Sequence, residues 1–139
     1  MTERVFHQRL HCQYSQPDNA VAGFAVEHRT QDGWQPFELS FATPGFEAFV
    51  YAIFNCQHLY MRVNAAERGL LLASAEGSIE AIADEDWTLR KLQVRFEARL
   101  QSGNPSESHV ADILDRMRHC PVSTNLKQPP EMVVEVRFG

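Results

Sequence analysis

TPGFEAFVYAIFNCQHLYMRVNAAE, residues 43–67, reads as a single long helix. Thr43 is placed to cap it with Pro44 at the first helical position, and Gly69 is placed to stop it, giving a central helix over 43–68. Its first turns are apolar on nearly every face, through Phe46, Phe49, Val50, Tyr51, Ile53, Phe54, Leu59, Tyr60 and Met61. A helix that is apolar all round must be covered all round. One antiparallel sheet covers a single side, so the sequence asks for a further layer, and a second subunit would supply it.

On either side of this helix the pattern changes from a period near 3.6 to a period of two. RVFHQRLHCQY, AVAGFAVEH and WQPFELSF read as three strands over residues 1–42, with turns at SQPDN and TQDG. Pro36 demotes the start of the third strand to an edge or a bulge. After the helix, Ala73, Ala75, Gly77, Ile79 and Ala81 alternate with Ser74, Glu76, Ser78 and Glu80. Leu92, Val94, Phe96, Ala98 and Leu100 then alternate with Lys91, Gln93, Arg95, Glu97 and Arg99, the pattern of a half-solvated antiparallel hairpin. Val110, Ile113, Leu114 and Met117 mark a second helix, CPVSTNL a turn with a short helix, and EMVVEVRF a closing strand. Residues 70–139 thus hold the hairpin, the helices and the final strand. Residues 1–139 make one α+β domain with antiparallel sheets around a long central helix.

Composition excludes several function classes. The chain has 139 residues, a net charge of −5 and no basic run, which argues against nucleic-acid binding. Its longest apolar run is too short to span a bilayer, and the charged N-terminus is unlike a targeting signal, so no membrane partner is expected. Three cysteines without a C-x-x-C pair, and no secretory signal, point to reduced thiols in a cytoplasmic protein.

Those cysteines differ in setting. Cys56 shares a helix stripe with Phe49, Ile53 and Tyr60. It is either a buried packing residue or a thiol in an apolar seam, and burial by itself raises a thiol pKa. Cys120 precedes Pro121, so it reads as the N-cap of a short helix, where backbone N–H groups favour a thiolate; the bland alternative is that it merely fills the space of a serine in a turn. Cys12 lies beside His11 on a strand, where neighbours point to opposite faces, so the two cannot share a metal; neither a metal nor a cofactor is expected.

A glutamate nine residues ahead of a helical cysteine, in GFEAFVYAIFNC, joined much later to HCPVSTNL, resembles the OsmC/Ohr family of osmotically inducible and organic-hydroperoxide-resistance proteins. The element order resembles that family over nearly the whole chain. The resemblance implies an intertwined homodimer with its long helices at the centre, and a two-cysteine cycle that reduces an organic hydroperoxide. Cys56 would be the attacking thiol, Cys120 the resolving one, Glu47 an active-site carboxylate, and a lipoyl-type dithiol the reductant. Glu47 also has a plainer role, complementing the helix dipole from the first turn; on an ideal helix it falls on the face opposite Cys56.

One departure from the family pattern matters. Peroxidase members carry an arginine near the first strands, and SQPDNAVAG holds no basic residue. The sequence therefore leaves a second reading, a non-peroxidase homodimer on the same scaffold acting as a small-molecule binding protein or redox sensor. It leaves a third in which all three cysteines are packing.

Overall fold

The computed structural model describes residues 2–127 and, beyond them, Glu131, Met132, Glu135 and Arg137. Its elements are β1 (Arg4–Ser15), β2 (Ala20–Thr30), β3 (Gly33–Pro36), α1 (Gly45–Glu67), β4 (Leu71–Ala83), β5 (Leu89–Ser102), α2 (Glu107–Arg118) and α3 (Pro121–Thr124). The strands form one five-stranded sheet in the order β3-β2-β1-β4-β5, with every neighbouring pair antiparallel. The closing strand expected over EMVVEVRF falls largely outside the described residues.

Alternation in β1 sorts the sheet into two faces. Gln8, Leu10, Cys12 and Tyr14 are buried, whereas Arg9, His11 and Gln13 are exposed. The outer face is held by cross-strand pairs: His7 opposite Glu80, His11 opposite Glu76 and Arg9 opposite Glu27, each pair in hydrogen-bond contact. On the inner face, Gln8 bonds Glu47 and Tyr14 bonds His58, so α1 runs along β1 in the same direction. Helices α2 and α3 pack against α1 from another side, with Ile113 and Met117 buried in the shared core.

Two glycines are required by geometry. Gly69, at φ +74°, ends α1: its own N–H reaches Ala66 O and the Leu70 N–H reaches Ala65 O, a Schellman stop. Gly77 lies opposite Phe96, whose ring stacks on Phe54 at 5.6 Å. A Cβ at position 77 would sit 2.6 Å from the Phe96 ring.

The β1–β2 turn is tied into the core by a side chain. Asn19 is fully buried, and its carboxamide donates to Arg62 O and Leu70 O while accepting from the Gln16 side chain and Leu72 N. One residue thus joins the turn, the end of α1 and the start of β4. Its φ of 56° lies in the left-handed region, which asparagine tolerates better than most residues.

Four sequence expectations need correction. Thr43 does not cap α1: Pro44 occupies that position with extended ψ of 136°, Gly45 is the first helical residue, and no side chain closes the end. The Thr43 hydroxyl instead accepts from Ser40 N in the preceding loop. The third strand stops at Pro36 rather than continuing to Phe41; only Phe37 N still bonds across, to Val26 O, and Leu39 and Phe41 are exposed. Irregular pairing between Leu72 and Ser74 shifts the alternation, so Leu72 rather than Ala73 is the buried residue there. In β5, Leu92, Val94, Phe96 and Leu100 are half-buried and Ala98 is exposed. That inner face is therefore only partly covered within the chain.

Candidate thiol site

Cys56 is a mid-helix residue of α1 and Cys120 is the N-cap of α3, and the fold brings them together. They lie near enough for the ionisation of each to shift that of the other, and neither forms a disulfide. Cys56 is half-buried, whereas Cys120 is fully buried. Of the two residues, Cys56 is the more exposed.

Cys120 caps α3 as its sequence position suggests. Its sulfur accepts from Ser123 N at 3.4 Å and lies 3.0 Å from the Ser123 hydroxyl, with Pro121 opening the helix. Burial alone would push this thiol up. Bonds from the Ser123 hydroxyl, the Cys56 thiol and the backbone N–H groups of Ser123 and Val122 outweigh burial and hold it below the ordinary thiol range. With only four helical residues, these direct bonds rather than a macrodipole do the stabilising. Cys56 shifts the other way: burial pushes it up, and a charged Cys120 beside it adds to the rise, against one backbone bond from Val122. No Lys, Arg, His, Asp or Glu side chain among the described residues is among the causes of either shift.

Gln57 fastens this arrangement. Its buried side-chain amide donates to Met117 O at 2.8 Å and Ser123 Oγ at 2.7 Å, and lies 3.7 Å from Cys120 Sγ. The residue next to one cysteine thus holds the helix that carries the other. Sequence reading passed over both Gln57 and Ser123. The available signal was a polar residue inside an otherwise apolar helix, and a serine three places after an N-capping cysteine.

Glu47 lies apart. It accepts from Gln8 Nε2 at 3.0 Å, and His28 Nδ1 is 3.5 Å away, so it is pinned to β1 and β2 at the first turn of α1. Nine helical residues place it about 13 Å from Cys56 along the axis. Within one chain it does not meet the thiol pair.

Cys12 belongs to a different cluster on the sheet side of α1. The Tyr14 hydroxyl lies 2.7 Å from His58 Nε2, and Cys12, two residues before Tyr14 on the same buried face of β1, lies 3.7 Å from Gln13 O. Burial, aided by the charge of Arg62, holds His58 down to about 4, and burial pushes both Cys12 and Tyr14 up. Among the described residues there is no cluster of His, Cys, Asp and Glu arranged to hold a metal ion, and no helix long and apolar enough to cross a membrane.

An antiparallel sheet carrying a long helix, with two thiols meeting between that helix and a short C-terminal one, defines an α+β protein of the OsmC-like kind. The family model described as OsmC-like protein matches residues 32–135, and the chain belongs to that family. Among solved structures, it is similar to an OsmC-like hydroperoxide resistance protein from Jannaschia sp. CCS1. That likeness has a TM-score of 0.65 at 11% identity, covering 99% of this chain and 95% of that one. An OsmC-like protein from Mycoplasma pneumoniae matches with a TM-score of 0.49 at 11% identity over 76% of this chain and 80% of that one. No curated protein sequence matches the chain.

Proposed function

We propose that the protein reduces organic hydroperoxides through a cycle between Cys56 and Cys120. The observation that carries this reading is the closeness of a half-buried cysteine to a buried, more acidic one. Cys120 ionises first and acts as the base: it takes the Cys56 proton, leaving a thiolate on the less buried cysteine. That thiolate attacks the O–O bond, becoming a sulfenic acid and releasing an alkoxide that leaves as the alcohol after taking the proton from Cys120. The renewed Cys120 thiolate then attacks the Cys56 sulfenic sulfur, forming the disulfide and expelling hydroxide, which is protonated to water. A lipoyl-type dithiol returns both thiols by exchange and is itself oxidised to a disulfide.

The working unit in this reading is a cytoplasmic, intertwined homodimer. Leu59 and Val63 on α1, and Val21 and Phe24 on β2, are exposed in the single chain, and a partner would cover them. Glu47 would then serve a thiol site from the neighbouring subunit.

Counting free thiols after one equivalent of cumene hydroperoxide tests the cycle. Loss of two thiols in the parent is expected, with a trapped sulfenic acid in Cys120→Ser and none in Cys56→Ser. Unchanged thiols in the parent would end this reading. A second reading, a non-peroxidase binding protein or redox sensor on the same scaffold, draws on the absence of a cationic side chain acting on either thiol among the described residues. It predicts thiol oxidation too slow for turnover.

A further inference from the structure

We infer that Gln57 is a positioning residue for the ionisation of Cys120: by donating to the Ser123 oxygen it reserves the serine hydroxyl proton for the Cys120 sulfur. The side-chain nitrogen of Gln57 lies 2.8 Å from Met117 O and 2.7 Å from Ser123 Oγ. A backbone carbonyl only accepts, so the contact with Met117 O fixes which end of the carboxamide points this way. The amide has two protons, and Met117 O and Ser123 Oγ take one each. That nitrogen cannot accept from the serine, and its separation of 3.7 Å from Cys120 Sγ leaves the sulfur to closer donors.

Ser123 is that donor. Its Oγ lies 3.0 Å from the sulfur, and its backbone N–H donates to the sulfur at 3.4 Å. A hydroxyl has one proton and two lone pairs. Beside a neutral Cys120 thiol, the serine oxygen can accept from both Gln57 and the S–H. Beside a thiolate, the sulfur can only accept, and the hydroxyl turns its proton to it while keeping the Gln57 bond. A donor on the oxygen polarises the O–H and strengthens its bond to the anion. Bonding that favours the charged form accords with the position of Cys120 below the ordinary thiol range. Cys56, on α1, is the titratable group linked to Cys120, and the ring of the neighbouring His119 is turned to Asp115 O. No Lys, Arg, His, Asp or Glu side chain among the described residues is among the causes of the shift, so neutral side chains do here what a cation would otherwise do. The benefit to turnover rests on the proposed cycle, in which Cys120 ionises first; the ionisation itself does not.

The Cβ chemical shift of Cys120, followed through a pH titration of the reduced full-length protein, reads this ionisation without any hydroperoxide. Ser123→Ala should raise the midpoint by about one to two pH units, the value of one hydrogen bond to a charged acceptor. Ser123→Thr, which keeps the hydroxyl, should restore it. Gln57→Met keeps the length of the side chain without its donors, and Gln57→Leu serves if that variant does not fold. Either should raise the midpoint by a smaller amount in the parent and by nothing further in Ser123→Ala. That comparison separates aiming of the hydroxyl from mere attachment of α3. A helix simply released would also lose the bond from Ser123 N, and the midpoint would move in both backgrounds. An unchanged midpoint in Ser123→Ala or in Gln57→Met, no recovery in Ser123→Thr, or equal shifts from Gln57→Met in the two backgrounds would each overturn the inference. If the midpoints move as expected in a protein that consumes no cumene hydroperoxide, the inference holds and the cycle alone is lost.

Discussion

Cys56 and Cys120 shift each other's ionisation, yet they differ in both burial and acidity: the half-buried one is the harder to ionise. Two groups whose ionisations are linked titrate as a unit. In the parent, alkylation of Cys56 by iodoacetamide should rise with pH in two steps. The lower step follows the first ionisation of the pair, when a small fraction of the charge resides on Cys56, and the upper follows the second. Cys120→Ser should give one step, lying below the parent's upper one because no neighbouring thiolate opposes ionisation. A single step in the parent would show the sulfurs to be independent.

Replacing Gln57 by leucine keeps the apolar volume but strips donors from Met117 O and Ser123 Oγ. Leaving buried acceptors unmatched costs about 1–3 kcal/mol. Urea unfolding should show that loss, and hydroperoxide-driven disulfide formation should slow because α3 is no longer held at the thiols. Stability lost without any change in that rate would confine Gln57 to a packing role.

Gly77→Ala places a methyl against the rings of Phe96 and Phe54. Overpacking of this kind costs about 1–3 kcal/mol. Because the clash is chiefly with Phe96, the double variant Gly77→Ala/Phe96→Leu should lose less stability than the sum of the two single changes. Strict additivity would remove the steric explanation.

His58 carries a folded-state pKa of about 4, below its ordinary value, because burial disfavours the charged ring. The unfolded chain therefore takes up the proton first as the solution is acidified. The contribution is complete above the unfolded value near 6.5 and is lost as pH falls through about 4, amounting to at most about 3 kcal/mol. Urea unfolding of the parent and of His58→Gln across this range should show a steeper acid decline in the parent. Parallel curves would mean that the ring takes up its proton as readily in the folded chain as in the unfolded one.

Long, regular elements were legible in the sequence because their signals are local. The alternation of β1, β4 and β5 and the apolar length of α1 follow from residue spacing, and Gly69 marks the helix end by its backbone alone. Cys120 as an N-cap was likewise readable from the proline after it. What escaped depends on contacts between distant residues. Nothing near Thr43 reveals that Pro44 stays extended and that the threonine serves the loop before it. Gln57 could not be read as the clamp on α3, because its partners lie 60 and 66 residues away. The Tyr14–His58 contact spans 44 residues and left no local trace.

The carboxamide of Asn19 fastens three parts of the chain at one point. Slow hydrogen–deuterium exchange at Leu72 therefore becomes a report on the far end of the helix bearing Cys56, since that amide is released only when the fastening opens. Fraying of the hairpin turn and slippage of the helix are not separate events here. They belong to one cooperative unit, closed by a single side chain.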